Sequence, residues 1–269
     1  MSFKSHCLVP GLPHVLSTDK NPAYAKLASA AEALGDRLAA AGVQRLLYYS
    51  TGWISVLGQS FQARADLHGL HVDENWYAYG DLPFSFRVDA AAARRMAAEA
   101  AADGYQTKLI DYDGFPVDTG TIVADRLLNR DKRFSATMVS CCVYSDYADT
   151  VKLLGAVSRA VAADGVPTAA IAVSMLSGRF FTTDIDLRED HIAHPDDDRW
   201  NQRLLAALAS GDAAEAKRLL PDYAKATKAD MGMKALAFLE GTGGLSQGRK
   251  ATVHAYGALY GTGAAVVEL

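Results

Sequence analysis

Seven histidines are spread along 269 residues, and the company they keep decides which chemistry is open to this chain. His14 follows Pro10-Gly11-Leu12-Pro13, a stiff turn at the end of the first apolar run. An imidazole held there at the mouth of a sheet suits a metal ligand or an acid/base, and equally a packed structural histidine. His71 and Asp73 lie two apart in His71-Val72-Asp73-Glu74-Asn75-Trp76-Tyr77, so in extended chain they face the same way, as a metal pair would. The competing reading is a loop whose polar side chains tie down their own backbone. Asp190-His191-Ile192-Ala193-His194-Pro195-Asp196-Asp197-Asp198 is the richest ligand cluster by composition, but Pro195 breaks any helix, and the three successive carboxylates read as a solvated, acidic helix entry in front of Arg199. Ser50-Thr51-Gly52-Trp53 offers small residues that let a ligand approach the backbone, or simply a turn that needs glycine.

The elements that position these residues alternate. Short apolar runs at 5–9, 45–49, 107–111, 136–140 and 169–174 read as strands. Between and after them, 22–40, 89–103, 147–163 and 199–209 repeat apolar residues at three and four spacings and read as helices. Asp89 and Asp146 are expected N-caps, and Gly42, Gly104 and Gly165 expected helix stops. That alternation predicts an α/β fold with helices on both faces of a sheet, its site at the C-terminal strand ends. Residues 57–87, rich in His, Asp, Trp and Tyr, lack a helical period and are expected to leave the sheet as a long ordered excursion. A late helical region at 212–239 ends at Gly241, and the tail 251–269 reads as a strand followed by a glycine-interrupted apolar end.

Composition narrows the function classes. Half of the residues are hydrophobic and 22% charged, with no linker-like tract, which predicts one folded domain over 1–269. A net charge of -4 without a basic cluster argues against a nucleic-acid partner. Three cysteines, two of them adjacent, fit a reducing compartment rather than a disulfide framework. With no leader-like start and no long apolar run, a cytoplasmic protein without a membrane span is expected. Gly241-Thr242-Gly243-Gly244 and Gly261-Thr262-Gly263 do not form a dinucleotide fingerprint, and no Gly-x-Ser-x-Gly elbow is present.

Taken in order, six segments run almost from end to end of the chain. They are Pro10-Gly11-Leu12-Pro13-His14, Ser50-Thr51-Gly52-Trp53, His71 to Tyr77 with Gly80-Asp81-Leu82-Pro83, Asp118-Thr119-Gly120-Thr121, Asp198-Arg199-Trp200-Asn201 and Tyr260-Gly261-Thr262-Gly263-Ala264. Together they resemble the class III (LigB-type) extradiol ring-cleaving dioxygenases, most closely the two-subunit 2-aminophenol 1,6-dioxygenases. The resemblance implies a single three-layer domain with a central mixed sheet. In such enzymes it also implies a non-haem Fe(II) held by two histidines and a glutamate, with a further histidine moving protons. Only His14 matches a ligand position. Gly52 stands at the second, and Gly178 stands where the proton-moving histidine should follow Leu176-Ser177. For the third ligand, Asp230 and Glu240 are the nearby carboxylates, or none serves.

The resemblance therefore implies a non-catalytic subunit with no metal or cofactor of its own. Fe(II) and the aromatic substrate, 2-aminophenol or a related aminophenol or catechol, would lie in a homologous catalytic partner, in a heterodimer or heterotetramer. Trp76, Tyr77, Tyr79, Phe84 and Phe86 are the aromatics expected at that interface. The alternative is that the chain is itself an Fe(II) extradiol dioxygenase, using His14 with His71, Asp73 or a late carboxylate. An unrelated binding or adaptor role on the same scaffold is the third possibility.

Overall fold

Period-two alternation along the strands sends successive side chains into two different cores. The computed structural model describes residues 3–73, 75–113, 117–179 and 181–269. In β2 (Arg45–Ser55), Leu46 and Tyr48 enter one apolar cluster while Leu47 and Tyr49 enter the other. The sheet between the two clusters has eight strands. It also includes β1 (Phe3–Val9), β3 (Gln59–Gln62), β6 (Thr107–Ile110), β7 (Ser135–Cys142), β8 (Thr168–Val173), β9 (Thr252–Leu259) and β10 (Thr262–Glu268), in the order β6-β3-β7-β2-β8-β1-β10-β9. The middle four strands are mutually parallel. Antiparallel pairings of β1 with β10 and of β3 with β7 make the whole sheet mixed.

One face is covered by α1 (Pro22–Ala40), α3 (Thr119–Leu128) and the hairpin of β4 (Asp66–His71) and β5 (Leu82–Arg87). The other carries α2 (Ala90–Ala102), α4 (Tyr147–Asp164), α5 (Pro195–Ser210), α6 (Ala213–Thr227) and α7 (Lys234–Gly241). This is the three-layer α/β architecture that the sequence predicts. Local signals set the helix ends. Asn21, Asp89 and Asp146 each accept a backbone N–H from the first turn, and Gly165 closes α4 in the left-handed region. Among the described residues no helix is long and apolar enough to cross a membrane, and Cys7, Cys141 and Cys142 are buried free thiols.

Four expectations are corrected. Residues 57–87 do not leave the sheet as one excursion: β3 rejoins it between β6 and β7, and only the β4–β5 hairpin stands apart. Helix α3 goes unseen in the sequence because it is ten residues long and opens on Thr-Gly-Thr, weak helix formers. The late helical region breaks at residues 228–233, where Lys228, Met231 and Met233 have positive φ. Strand β2 continues past Tyr49 to Ser55, but its register to β7 slips: Tyr49 pairs Val139 and Ile54 pairs Cys141, so residues 50–53 bow out at the C-terminal edge.

Candidate active-site cavity

The bowed segment forms one wall of a cavity of about 970 Å³ at the C-terminal ends of β1, β2 and β8. Gly11 and Leu12 after β1, residues 50–54 of β2 and residues 173–175 at the end of β8 line it, together with the start of α3. Three carboxylates belong to it.

Asp118 caps α3, taking the Thr121 N–H at 3.1 Å and hydroxyls from Thr121 at 2.5 Å and Ser50 at 2.6 Å. Burial raises its carboxyl above the usual range, and those donors only partly offset the effect. Asp73 takes the N–H groups of Asn75 and Trp76 through Oδ1, so the loop does tie down its own backbone. Its Oδ2 accepts the Thr119 hydroxyl, whose oxygen lies 2.9 Å from His71 Nε2. With Thr119 donating to Asp73, the imidazole donates to Thr119. His71 and Asp73 thus do converge, across a residue of α3.

Asp230 is placed by the irregular turn after α6. Its Oδ2 collects the Thr51 hydroxyl at 2.6 Å, the Ser174 hydroxyl at 2.9 Å and the Met175 N–H at 3.2 Å. Burial raises this carboxyl too, against those donors. Glu240 is elsewhere, on α7, where it accepts from Tyr147 at 2.9 Å and Lys217 at 2.6 Å. Of the two late carboxylates, only Asp230 lines the cavity.

His14 is not among the cavity's lining residues. It sits 1% exposed in a short 3-10 turn, its ring 4.1–4.7 Å from those of Trp76, Tyr79 and Tyr260. Desolvation lowers its pKa to about 4, so it is neutral at pH 7. Its Nδ1 has no hydrogen-bond partner among the described residues. Two members of that cage, Trp76 and Tyr260, also line the cavity. The aromatics of residues 76–86 therefore mostly pack inward: Phe86 is buried and Phe84 half-buried, and only Tyr77, at 78%, is strongly exposed.

The acidic run 190–198 is also less solvated than its composition suggests. Asp196, Asp197 and Asp198 occupy the first turn of α5, yet Asp197 is fully buried, gripped at 2.6 and 2.7 Å by the fork of Arg179. Asp190 takes the Tyr24 hydroxyl and the N–H groups of Tyr260 and Gly261, each at 2.7 Å. Those two amides belong to the β9–β10 turn, where both residues have positive φ, as two-residue hairpins require. Arg179 and Thr119 had no chemical signal of their own in the sequence; each acquires its partner from a distant segment.

Gly52 and Gly178 both line the cavity. A Cβ on Gly52 would come 2.9 Å from Asp118 Oδ2, and one on Gly178 would come 3.0 Å from the Lys228 carbonyl and 3.2 Å from the Asp230 Cα. Among the described residues the donors do not fit an Fe(II) triad of two imidazoles and a carboxylate: His71 is the one imidazole lining the cavity, with Nε2 engaged, and His14 is caged behind aromatic rings. Among the described residues no three His, Cys, Asp or Glu side chains are grouped to hold a metal.

Over the whole chain the sequence is 37% identical, across 272 aligned positions, to the 2-aminophenol 1,6-dioxygenase alpha subunit of a Pseudomonas species, covering 99% of that protein. The chain belongs to the LigB-type extradiol dioxygenase family. The beta subunit of the same Pseudomonas enzyme is 24% identical over 83% of this chain and 76% of its own length. The 3,4-dihydroxyphenylacetate 2,3-dioxygenase of Escherichia coli is 23% identical over 68% of this chain and 67% of its own. No family model matches. Among solved structures, an uncharacterized protein of Escherichia coli K12 superposes with a TM-score of 0.69 over 98% of this chain and 99% of its own, at 14% identity, which speaks to the fold alone. For a member of this dioxygenase family, the cavity lies at the strand ends where an α/β enzyme keeps its chemistry.

Proposed function

We propose that this chain is the non-catalytic subunit of a two-subunit extradiol dioxygenase that opens 2-aminophenol or a related aminophenol or catechol ring. Fe(II), dioxygen and the ring would be handled by a homologous catalytic subunit, in a heterodimer or heterotetramer. The observation that carries this reading is the pair of glycines on the cavity wall: Gly52 and Gly178 stand where the family resemblance implies a ligand and a proton-moving imidazole. A Cβ at either position would already meet a carboxylate or backbone oxygen at 2.9 or 3.0 Å. The subunit's contribution would be structural, holding the partner's loops in the geometry that ring cleavage needs.

The test is to purify the chain alone and together with its homologous partner, load both anaerobically with Fe(II), remove loose metal and measure iron and ring cleavage. The complex is expected to hold iron and turn over 2-aminophenol, and the chain alone to do neither. Tightly held stoichiometric iron in the lone chain would overturn the proposal and favour the reading in which His14 joins non-standard ligands.

A further inference from the structure

Among the described residues, carboxylates outnumber cations on the cavity wall. Its lining holds three carboxylates, Asp73, Asp118 and Asp230, and one guanidinium, Arg179, whose fork is committed to the buried Asp197. Both oxygens of Asp73 and Asp118 are occupied by protein donors. Asp230 differs: all three of its donors converge on Oδ2, every one of them is neutral, and Oδ1 takes no donor among the described residues. A carboxylate oxygen left without a protein donor at a cavity wall attracts a cation.

The apolar side of the cavity offers the matching surface. Trp76 and Phe181 each stand edge-on to Tyr260, at ring separations of 5.2 and 6.3 Å, so three aromatic rings gather on one wall. Aromatic rings and a carboxylate lining one cavity are the two kinds of surface that bind organic ammonium groups, the carboxylate for the charge and the rings for the apolar part. A concave space of this size with a few fixed polar groups is also what a small-molecule site requires.

From this geometry we infer that the cavity is a metal-independent binding site for a small organic ammonium ion, with its charged nitrogen on Asp230 Oδ1 and its apolar part on the Trp76, Tyr260 and Phe181 wall. The inference does not depend on the silent-subunit reading, since it concerns binding to this chain whether or not a partner performs the chemistry.

The experiment is calorimetric titration of the full chain, in the presence of a chelator, with benzylamine and with its neutral isostere benzyl alcohol. Benzylamine is expected to saturate at one site and to bind at least about tenfold tighter than the alcohol, a difference of roughly 1.4 kcal/mol. Asp230→Asn is expected to erase that preference while the circular dichroism stays unchanged. Equal affinity for amine and alcohol, no saturable binding, or an undiminished preference in a folded Asp230→Asn variant would each overturn the inference. Should Asp230→Asn not fold, Phe181→Ala takes its place: weakened benzylamine binding supports the site, and unchanged binding refutes it. Iron content and turnover play no part in the readout, so failure here is distinct from failure of the proposed function.

Discussion

Two ionisable groups at opposite ends of the same sheet are treated in opposite ways. At the N-terminal end of β2, Arg45 is fully buried and fully answered: Asp164 takes its guanidinium at 2.6 and 3.0 Å, Asp89 at 2.9 Å, and the Thr168 hydroxyl completes the fork. At the C-terminal end, Asp230 has three neutral donors and no cation. The pKa directions follow the partners. Burial pushes both Asp164 and Asp230 upward, but for Asp164 the Arg45 contacts, the Val166 N–H and Arg95 more than reverse it, whereas Asp230 remains raised. One end of the sheet is built to hold the fold together. The other keeps a charge open toward a cavity, which is where function is to be sought.

The comparison breaks most visibly at Arg45. Arg45→Met fills similar volume but strands two carboxylates, one of them, Asp164, only 8% exposed at its side chain. Removing one partner of a buried ionic cluster costs about 3–5 kcal/mol, so urea unfolding should show a loss of that size. A loss below about 1 kcal/mol would mean that Arg95, 2.7 Å from Asp164, suffices alone, and that the N-terminal end is no better anchored than the other.

How much of this was legible in the sequence depended on how local the cause was. Helices α1, α2 and α4 announce themselves because their caps lie within one turn of their ends. Strand β3, four residues reading Gln-Ser-Phe-Gln, belongs to the sheet only because β6 and β7 flank it. In the site, the His71 and Asp73 pairing follows from period two, but the hydroxyl that joins them comes from Thr119, and no local rule points there. Asp230 and Glu240 both fall in the one late helical region that the sequence predicts; nothing in their spacing says that one stands in an irregular turn at the cavity and the other meets Lys217 on a helix. Asp190 and Asp197 look solvated by composition because Tyr24 and Arg179, which bury them, are fixed only by the complete fold.

A pH measurement sharpens the view of the C-terminal end. His14 has its pKa lowered from 6.5 to about 4 by desolvation, and His6, near the other core, shares the same shift, from burial first. A base whose folded pKa is depressed binds fewer protons folded than unfolded between those values, so stability falls as pH drops from 6.5 toward 4. His14→Phe keeps a ring among Trp76, Tyr79 and Tyr260 and removes one of the two protons involved. The slope of unfolding free energy in that window should therefore shrink by up to about 1.4 kcal/mol per pH unit. An unchanged slope would show that the His14 cage opens to water and admits the charged form.

The smallest expected effect is the most discriminating. Asp230→Asn keeps an oxygen for the Thr51 and Ser174 hydroxyls and the Met175 N–H while removing a charge that no cation answers. For a carboxyl whose folded pKa is raised, the folded state binds more protons than the unfolded in the window between the two values, so the wild type loses stability as pH rises through it. Above both values the charged form is carried at its full cost. The amide has no such cost. At pH 7 the variant should match or exceed the wild type, by no more than about 1–2 kcal/mol because the amide's hydrogen bonds are the weaker, neutral kind. That advantage should vanish as pH falls below the raised pKa, where the wild-type carboxyl is itself neutral. Parallel denaturation curves at pH 7 and at pH 3, below even the ordinary carboxyl value, give the answer. If Asp230→Asn instead destabilises at pH 7 by as much as Arg45→Met does, the carboxylate is a structural anchor like its counterpart across the sheet, and the contrast between the two ends disappears.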